Sequence, residues 1–258
     1  MSLVAGAFDP PPGKKRIVTA LLFGIMVHSI FAAAVLAMVA AMYAGMTRSL
    51  GTVSWPYAAI ANAILLLQFP LLHSFLLTRP GSKLLGALVP GYGSTLGTTT
   101  YAIIASVQLL ALFLLWTPSG IVWWRAEGAS LAITTLAFAM SWLLLAKASF
   151  DAGVEVQSGA LGWLSLLQDI KPRFPGMPTA GLFRTIRHPI YVAFALTTWT
   201  VPVWTPDQLA VTLTLTSYCL IAPVLKERRF ARRYGESFHV YRRSVPYAIP
   251  SFETGKGP

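Results

Sequence analysis

From residue 17 to residue 47 the chain runs for 31 residues without a charged side chain. A helix of about 20 apolar residues crosses the hydrocarbon core of a bilayer, whereas the core of a signal peptide is only about 7–15 residues long. Lys14, Lys15 and Arg16 precede the run like the basic region of a signal peptide, but its length requires a retained first helix. Five further uncharged stretches follow, at 49–78, 84–124, 128–146, 188–206 and 208–225. Inside lipid each backbone polar group must be satisfied within its own segment, so these stretches are helices, and the alternating pattern of a barrel is absent. Charged residues make up only 11% of the chain, against roughly 25% in a soluble domain, which excludes a water-soluble globule. The expectation is an all-α polytopic membrane domain covering 1–258, with five to six spans. Four lie in 17–146, and a helical hairpin at 189–225 follows, with interfacial cytoplasmic helices around it.

The net charge of +11 would point to nucleic acid in a soluble protein, but here the basic residues track the gaps between apolar runs, so no nucleic-acid partner is expected. Membrane lipids are the counterpart. With a cytoplasmic N-terminus, one side receives Lys14 to Arg16, Arg79, Lys83, Lys147, Lys171, Arg173, Arg184, Arg187, seven basic residues between Lys226 and Arg243, and Lys256. Only Arg48 and Arg125 fall opposite. The positive-inside rule then puts both termini in the cytoplasm. Trp116, Trp199 and Trp204 stand near predicted ends as interfacial anchors. Cys219, the single cysteine, reads as helix packing. Internal repeats are absent, which disfavours a transporter built from duplicated halves.

Two segments on the basic side are more than loops. The connection 147–187 carries Leu161, Trp163, Leu164, Leu166 and Leu167, which suit a short helix at the interface, then Pro172, Pro175 and Pro178, and then a polar strip ending at Arg184, Arg187, His188 and Pro189. The hairpin turns through Pro202 and Pro206, with Asp207 at an exposed tip. Beyond it, at 100° per residue, Glu227, Phe230, Tyr234, Phe238 and Tyr241 share one helix face while Arg228, Arg229, Arg232 and Arg233 point elsewhere. This describes a basic interfacial helix that Gly235 can break. Glu227 is its anomaly, because a carboxylate on an apolar face requires a partner. An ion pair to Arg184 or Arg187 is one answer, and a polar ligand held against the Arg187-His188-Pro189 corner is the other.

These residues resemble the integral-membrane methyltransferases typified by isoprenylcysteine carboxyl methyltransferase. The likeness rests on Arg187-His188-Pro189-Ile190-Tyr191 opening a membrane helix, the hairpin, Glu227, Tyr234-Gly235-Glu236, and Tyr241 followed by Val245-Pro246 and Ile249-Pro250. It covers roughly 181–250. Upstream, Gln68-Phe69-Pro70-Leu71-Leu72-His73-Ser74 with Arg79-Pro80-Gly81-Ser82-Lys83 is similar to the bacterial branch that includes methanethiol S-methyltransferases. The resemblance implies S-adenosyl-L-methionine as methyl donor, bound at 147–250 by His188, Pro189, Tyr191, Glu227 and Tyr241, with His188, Arg187 and Tyr191 at the reacting centre. Where the family commonly has two adjacent acids, this chain has Lys226-Glu227.

The expected acceptor is a small thiol in the class of methanethiol or hydrogen sulfide, with a prenylcysteine carboxylate or a lipid as alternatives; a thiol must ionise before it attacks, and electropositive surroundings favour that. Arg184, Arg187 and His188 are candidates for that field, and His73 for a polar group on the substrate side. The plainer reading of His188 is a turn-positioning residue. For His28 and His73 it is an interhelical hydrogen bond. Two other classes stay open: a membrane subunit holding metal or haem through His28, His73, His188 and His239, and a transporter. The histidines lack i,i+4 spacing and a cysteine partner, and no metal ligand set is assigned.

Overall fold

The computed structural model describes residues 5–250, so Lys256 lies outside the described residues. The chain forms α1 (Lys14–Tyr43), α2 (Tyr57–Leu76), α3 (Arg79–Ala87), α4 (Gly93–Leu115), β1 (Trp124–Arg125), α5 (Gly128–Asp151), α6 (Val154–Gln157), α7 (Ala160–Leu167), α8 (Pro189–Trp199), β2 (Val203–Trp204), α9 (Pro206–Tyr234) and α10 (Glu236–Ser244). Of these, α1, α2, α4, α5 and α9 are long and apolar enough to cross a membrane. The polytopic α-helical architecture is therefore as expected. The stretch 188–206 gives only α8, whose 11 residues extend about 16 Å at 1.5 Å per residue, half the hydrocarbon thickness. The polar corner at its start is buried, His188 being 4% exposed. The uncharged stretch 84–124 is also not one helix, since the chain turns at Pro90-Gly91 and only α4 spans.

One apolar cluster ties the spans together. Met38 and Met42 of α1, Leu66 and Phe69 of α2, Leu112 and Phe113 of α4, Phe138 of α5 and Leu215 of α9 are all buried in it. Between α2 and α4 the amides of Gln68 and Gln108 grip each other's backbones. Gln108 Nε2 donates to Gln68 O at 2.7 Å and Gln68 Nε2 to Gln108 O at 2.9 Å. Such bonds replace unsatisfied polar groups in lipid and fix the register of the pair.

Three sequence expectations are corrected. The leucine-rich α7 is wedged between α1 and α4 instead of lying at the interface. Leu161, Leu166 and Leu167 are buried, Gly162 sits where a Cβ would lie 2.5 Å from Thr99 Oγ1, and buried Arg16 caps the helix by donating to the carbonyls of Leu166 and Leu167. The basic segment after Lys226 is not a separate helix, because α9 continues unbroken through it to Tyr234. The break comes where Gly235 takes φ 52 and α10 begins. Asp207 is not an exposed tip. It is 5% exposed and accepts from Trp116 Nε1 at 3.1 Å, Ser119 N at 2.9 Å and Ser119 Oγ at 2.6 Å, while Trp116 is itself buried and anchors no interface. Beside them β1 pairs antiparallel with β2, Trp124 opposite Trp204, clamping this end of the bundle.

The alternation of helices gathers the starts of α1, α4 and α8 and the ends of α2, α5 and α9 at one end, which holds the basic clusters. Arg48 and Arg125 lie at the opposite end.

Candidate active site

The corner is built by a proline. Pro189 at the first helical position of α8 needs no backbone hydrogen bond there, and it keeps His188 out of helical geometry at φ −128, ψ 49. The preceding peptide is held from across the fold, with Arg187 N donating to Pro246 O at 2.9 Å. Irregular backbone here is tolerated because it is packed within protein.

Glu227 of α9 faces this turn. Its Oε1 accepts from Arg187 Nε at 2.8 Å and from His188 Nε2 at 2.9 Å. Its Oε2 has Arg242 Nε at 3.8 Å, too far for a hydrogen bond. Arg187 also donates from Nη1 to the carbonyls of Arg242 at 3.0 Å and Val245 at 2.5 Å, stitching the end of α10 to the corner. A carboxylate and a guanidinium this enclosed are tolerable only as a pair. The carboxylate on the aromatic face has thus found Arg187, and not Arg184.

His188 is 4% exposed, and its Nδ1 has no partner among the described residues. Burial pulls its pKa down to about 4, the nearby Lys226 and Arg187 charges act in the same direction, and the hydrogen bond to Glu227 opposes them. The ring is therefore neutral near pH 7. The bond to Glu227 assigns the proton to Nε2, which leaves Nδ1 as a bare acceptor. Tyr247 packs against the ring at 4.6 Å and Tyr191 at 5.9 Å, and the Arg187 guanidinium lies 5.4 Å over Tyr247. Sequence reasoning missed Tyr247, and its place directly after Pro246 in the C-terminal motif was the available signal.

Tyr191 joins the corner to a second feature. The Lys226 ammonium lies 5.5 Å from the ring of Phe183, 5.8 Å from Tyr191 and 5.3 Å from Phe230. Tyr241 reaches the same region but donates its hydroxyl to Phe183 O at 2.7 Å, and burial pushes that phenol up to about 12. It fastens α10 to the turn at Gly181–Arg184. Arg184 is exposed and stands apart from the corner. His73 lies on α2, where its Nε2 pairs with Tyr101 OH at 2.6 Å and its Nδ1 has no partner among the described residues. Phe69 and Tyr218 pack on its ring. His73 thus takes no part in the hydrogen bonds of the corner among the described residues. Beside it a groove of about 310 Å³ opens between α2 and α9, lined by Pro70, Ser74, Tyr218, Ile221, Ala222 and Leu225.

The remaining histidines go elsewhere. His28 accepts from Trp163 Nε1 at 3.1 Å, an interhelical bond, and His239 is exposed. Among the described residues no three His, Cys, Asp or Glu side chains are grouped to hold a metal ion.

The chain is similar to the methanethiol S-methyltransferase of Pseudomonas deceptionensis, 30% identical over 206 residues that cover 79% of this chain and 77% of that protein. The methanethiol S-methyltransferase of Pseudomonas sp. (strain GM41(2012)) is 28% identical over 80% of this chain and 78% of its own length. Methanethiol S-methyltransferase 1 of Bradyrhizobium diazoefficiens is 28% identical over 90% of this chain and 82% of its own length. No family model matches the chain, and no solved structure matches it significantly.

Proposed function

Because the chain belongs to the methanethiol S-methyltransferase family, we propose that it is an integral-membrane methyltransferase that uses S-adenosyl-L-methionine to methylate a small thiol, methanethiol or hydrogen sulfide in class. The observation that carries the reading is the Arg187–His188–Glu227 corner, with a buried ring nitrogen left unpaired. A buried acceptor without a partner is costly unless a ligand supplies one.

The corner suits the donor chemically. Its ammonium would meet two acceptors, His188 Nδ1 and Glu227 Oε2. Its carboxylate would meet the guanidinium groups of Arg187 and Arg242, and its ring the faces of Tyr191 and Tyr247. Pro189 sets the turn that aims His188. When bound, the donor supplies a methyl group made electrophilic by a sulfonium. The protein's own work is then to position, because in-line methyl transfer needs little covalent help. Neutral His188 keeps the corner's net charge from rising, and Tyr241 locks α10 over it. On the acceptor side we place His73 and Tyr101, beside a lipid-facing groove through which an apolar thiol can enter. The exposure of Arg184 argues against a direct role there. By the positive-inside rule the basic end, with both termini, faces the cytoplasm.

The test is turnover by purified protein in detergent or nanodiscs, supplied with S-adenosyl-L-methionine and methanethiol, hydrogen sulfide or a prenylcysteine. Dimethyl sulfide from methanethiol is the expected product. Methylation of the prenylcysteine alone would overturn the small-thiol reading.

A further inference from the structure

Lys226 stands beside the corner without a counter-ion. It takes no hydrogen bond and no ion pair among the described residues, and three aromatic faces surround its ammonium. Its sequence neighbour Glu227 is turned to Arg187 and His188, so the nearest carboxylate already serves other cations. The charged and titratable groups around Lys226 are Glu227 and Arg229 on α9, His188 at the start of α8 and Tyr191 on α8, whereas the Gly181–Arg184 turn contributes the uncharged Phe183. His188 is neutral near pH 7, so it does not compete for an anion. An ammonium has three donors and needs acceptors. Aromatic faces attract the cation but supply no hydrogen-bonding oxygen.

We propose that Lys226 is the counter-ion of the acceptor thiolate. This rests on the methyltransferase reading above and names the residue that would activate its substrate. A carboxylate is best met by several guanidinium donors, which Arg187 and Arg242 offer at Glu227. A lone ammonium among apolar faces suits an anion with one charged atom on a small alkyl group. In the step, the thiol S–H bond breaks and its proton passes to solvent. The thiolate sulfur, held at Lys226, forms the new S–CH3 bond as the donor's methyl–sulfonium bond breaks. That electron pair remains on the departing thioether sulfur, and nothing is oxidised or reduced. The field of Lys226 lowers the pKa of the bound thiol, so its role is separate from donor binding.

The experiment compares wild type with Lys226→Met and Lys226→Gln on methanethiol and on methaneselenol, whose selenol is already ionised at neutral pH. With saturating methanethiol at pH 7, kcat should fall about ten- to a hundredfold, as when a charge that lowers an acid's pKa by about 1–2 is removed. The loss should shrink as the pH is raised, and methaneselenol turnover should change little. A second measurement needs no variant. 2,2,2-Trifluoroethanethiol, whose thiol is about half ionised near pH 7, titrated by calorimetry into wild-type protein saturated with S-adenosylhomocysteine in two buffers of different ionisation heat, should release roughly half a proton per thiol bound as its pKa falls by about 1–2. Equal losses on thiol and selenol, weakened S-adenosylhomocysteine binding in the variants, or no proton release in wild type would each overturn the assignment. A wild type that binds S-adenosylhomocysteine but methylates neither acceptor would instead overturn the functional reading itself.

Discussion

Helix α9 carries a carboxylate near each end, Asp207 buried and Glu227 partly so, and the two are treated in opposite ways. At the start, Asp207 accepts three hydrogen bonds, from Trp116 and from the backbone and hydroxyl of Ser119, and it sits in the first turn of the helix, where the backbone dipole favours an anion. At the other end, Glu227 receives Arg187 and His188 on one oxygen and leaves the other without a hydrogen bond. Beside it stand the unpaired nitrogen of His188 and the unpaired ammonium of Lys226. One end of the helix is internally satisfied and the other holds its polar groups in reserve. In a membrane protein each unmatched polar group is costly, and on the function proposed above that asymmetry separates a structural acid from one placed for a ligand.

The comparison breaks most visibly at Glu227. Glu227→Gln keeps the shape and an acceptor for Arg187, so the protein should fold and insert, while turnover falls by about a hundredfold or more through lost positioning; thiol methylation by the purified variant checks this. Unchanged activity in both Glu227→Gln and His188→Ala would show the pocket to lie elsewhere. Asp207→Ala should do the reverse, costing about 2–4 kcal/mol because three buried donors lose their acceptor, with near-normal turnover in the molecules that remain folded. Its thermal unfolding in detergent, alongside activity per folded molecule, is the check.

Acid gives a sharper distinction. His188 stays neutral in the folded protein down to about 4, whereas in the unfolded chain it takes up a proton near 6.5. The unfolded state therefore binds more protons in that window, and stability falls as pH drops from about 6.5 towards 4. Wild type should lose stability over this range faster than His188→Gln, as read from denaturation midpoints at pH 7 and pH 5. A smaller effect is expected at Tyr101→Phe, which frees His73. The KM for thiol should rise several-fold, about 1 kcal/mol for one hydrogen bond, with kcat nearly unchanged.

The spans were legible because charge is excluded from lipid, and gaps between charges mark them without reference to any contact. The same rule could not see α3 separate from α4, since Pro90 and Gly91 are uncharged. Nor could it tell whether α7 lies at the surface or inside, because leucines suit both. The Arg187–Glu227 pair was foreshadowed by a single misfit, a carboxylate on an aromatic helix face. The satisfaction of Asp207 was not, since Trp116 and Ser119 come from a connection some 90 positions away in sequence. The surroundings of Lys226 were half visible: Phe230 is one helical turn along, but Phe183 and Tyr191 arrive only when α8 packs on α9.

The central claim is that the Glu227 end of α9 is a donor site and the Asp207 end is structure. Calorimetric titration with S-adenosylhomocysteine tests it most directly, using wild type, Glu227→Gln and Asp207→Asn, each shown to be folded. The account predicts binding by wild type and Asp207→Asn and loss of binding by Glu227→Gln. No binding by folded wild type, or equal binding by all three, would contradict it.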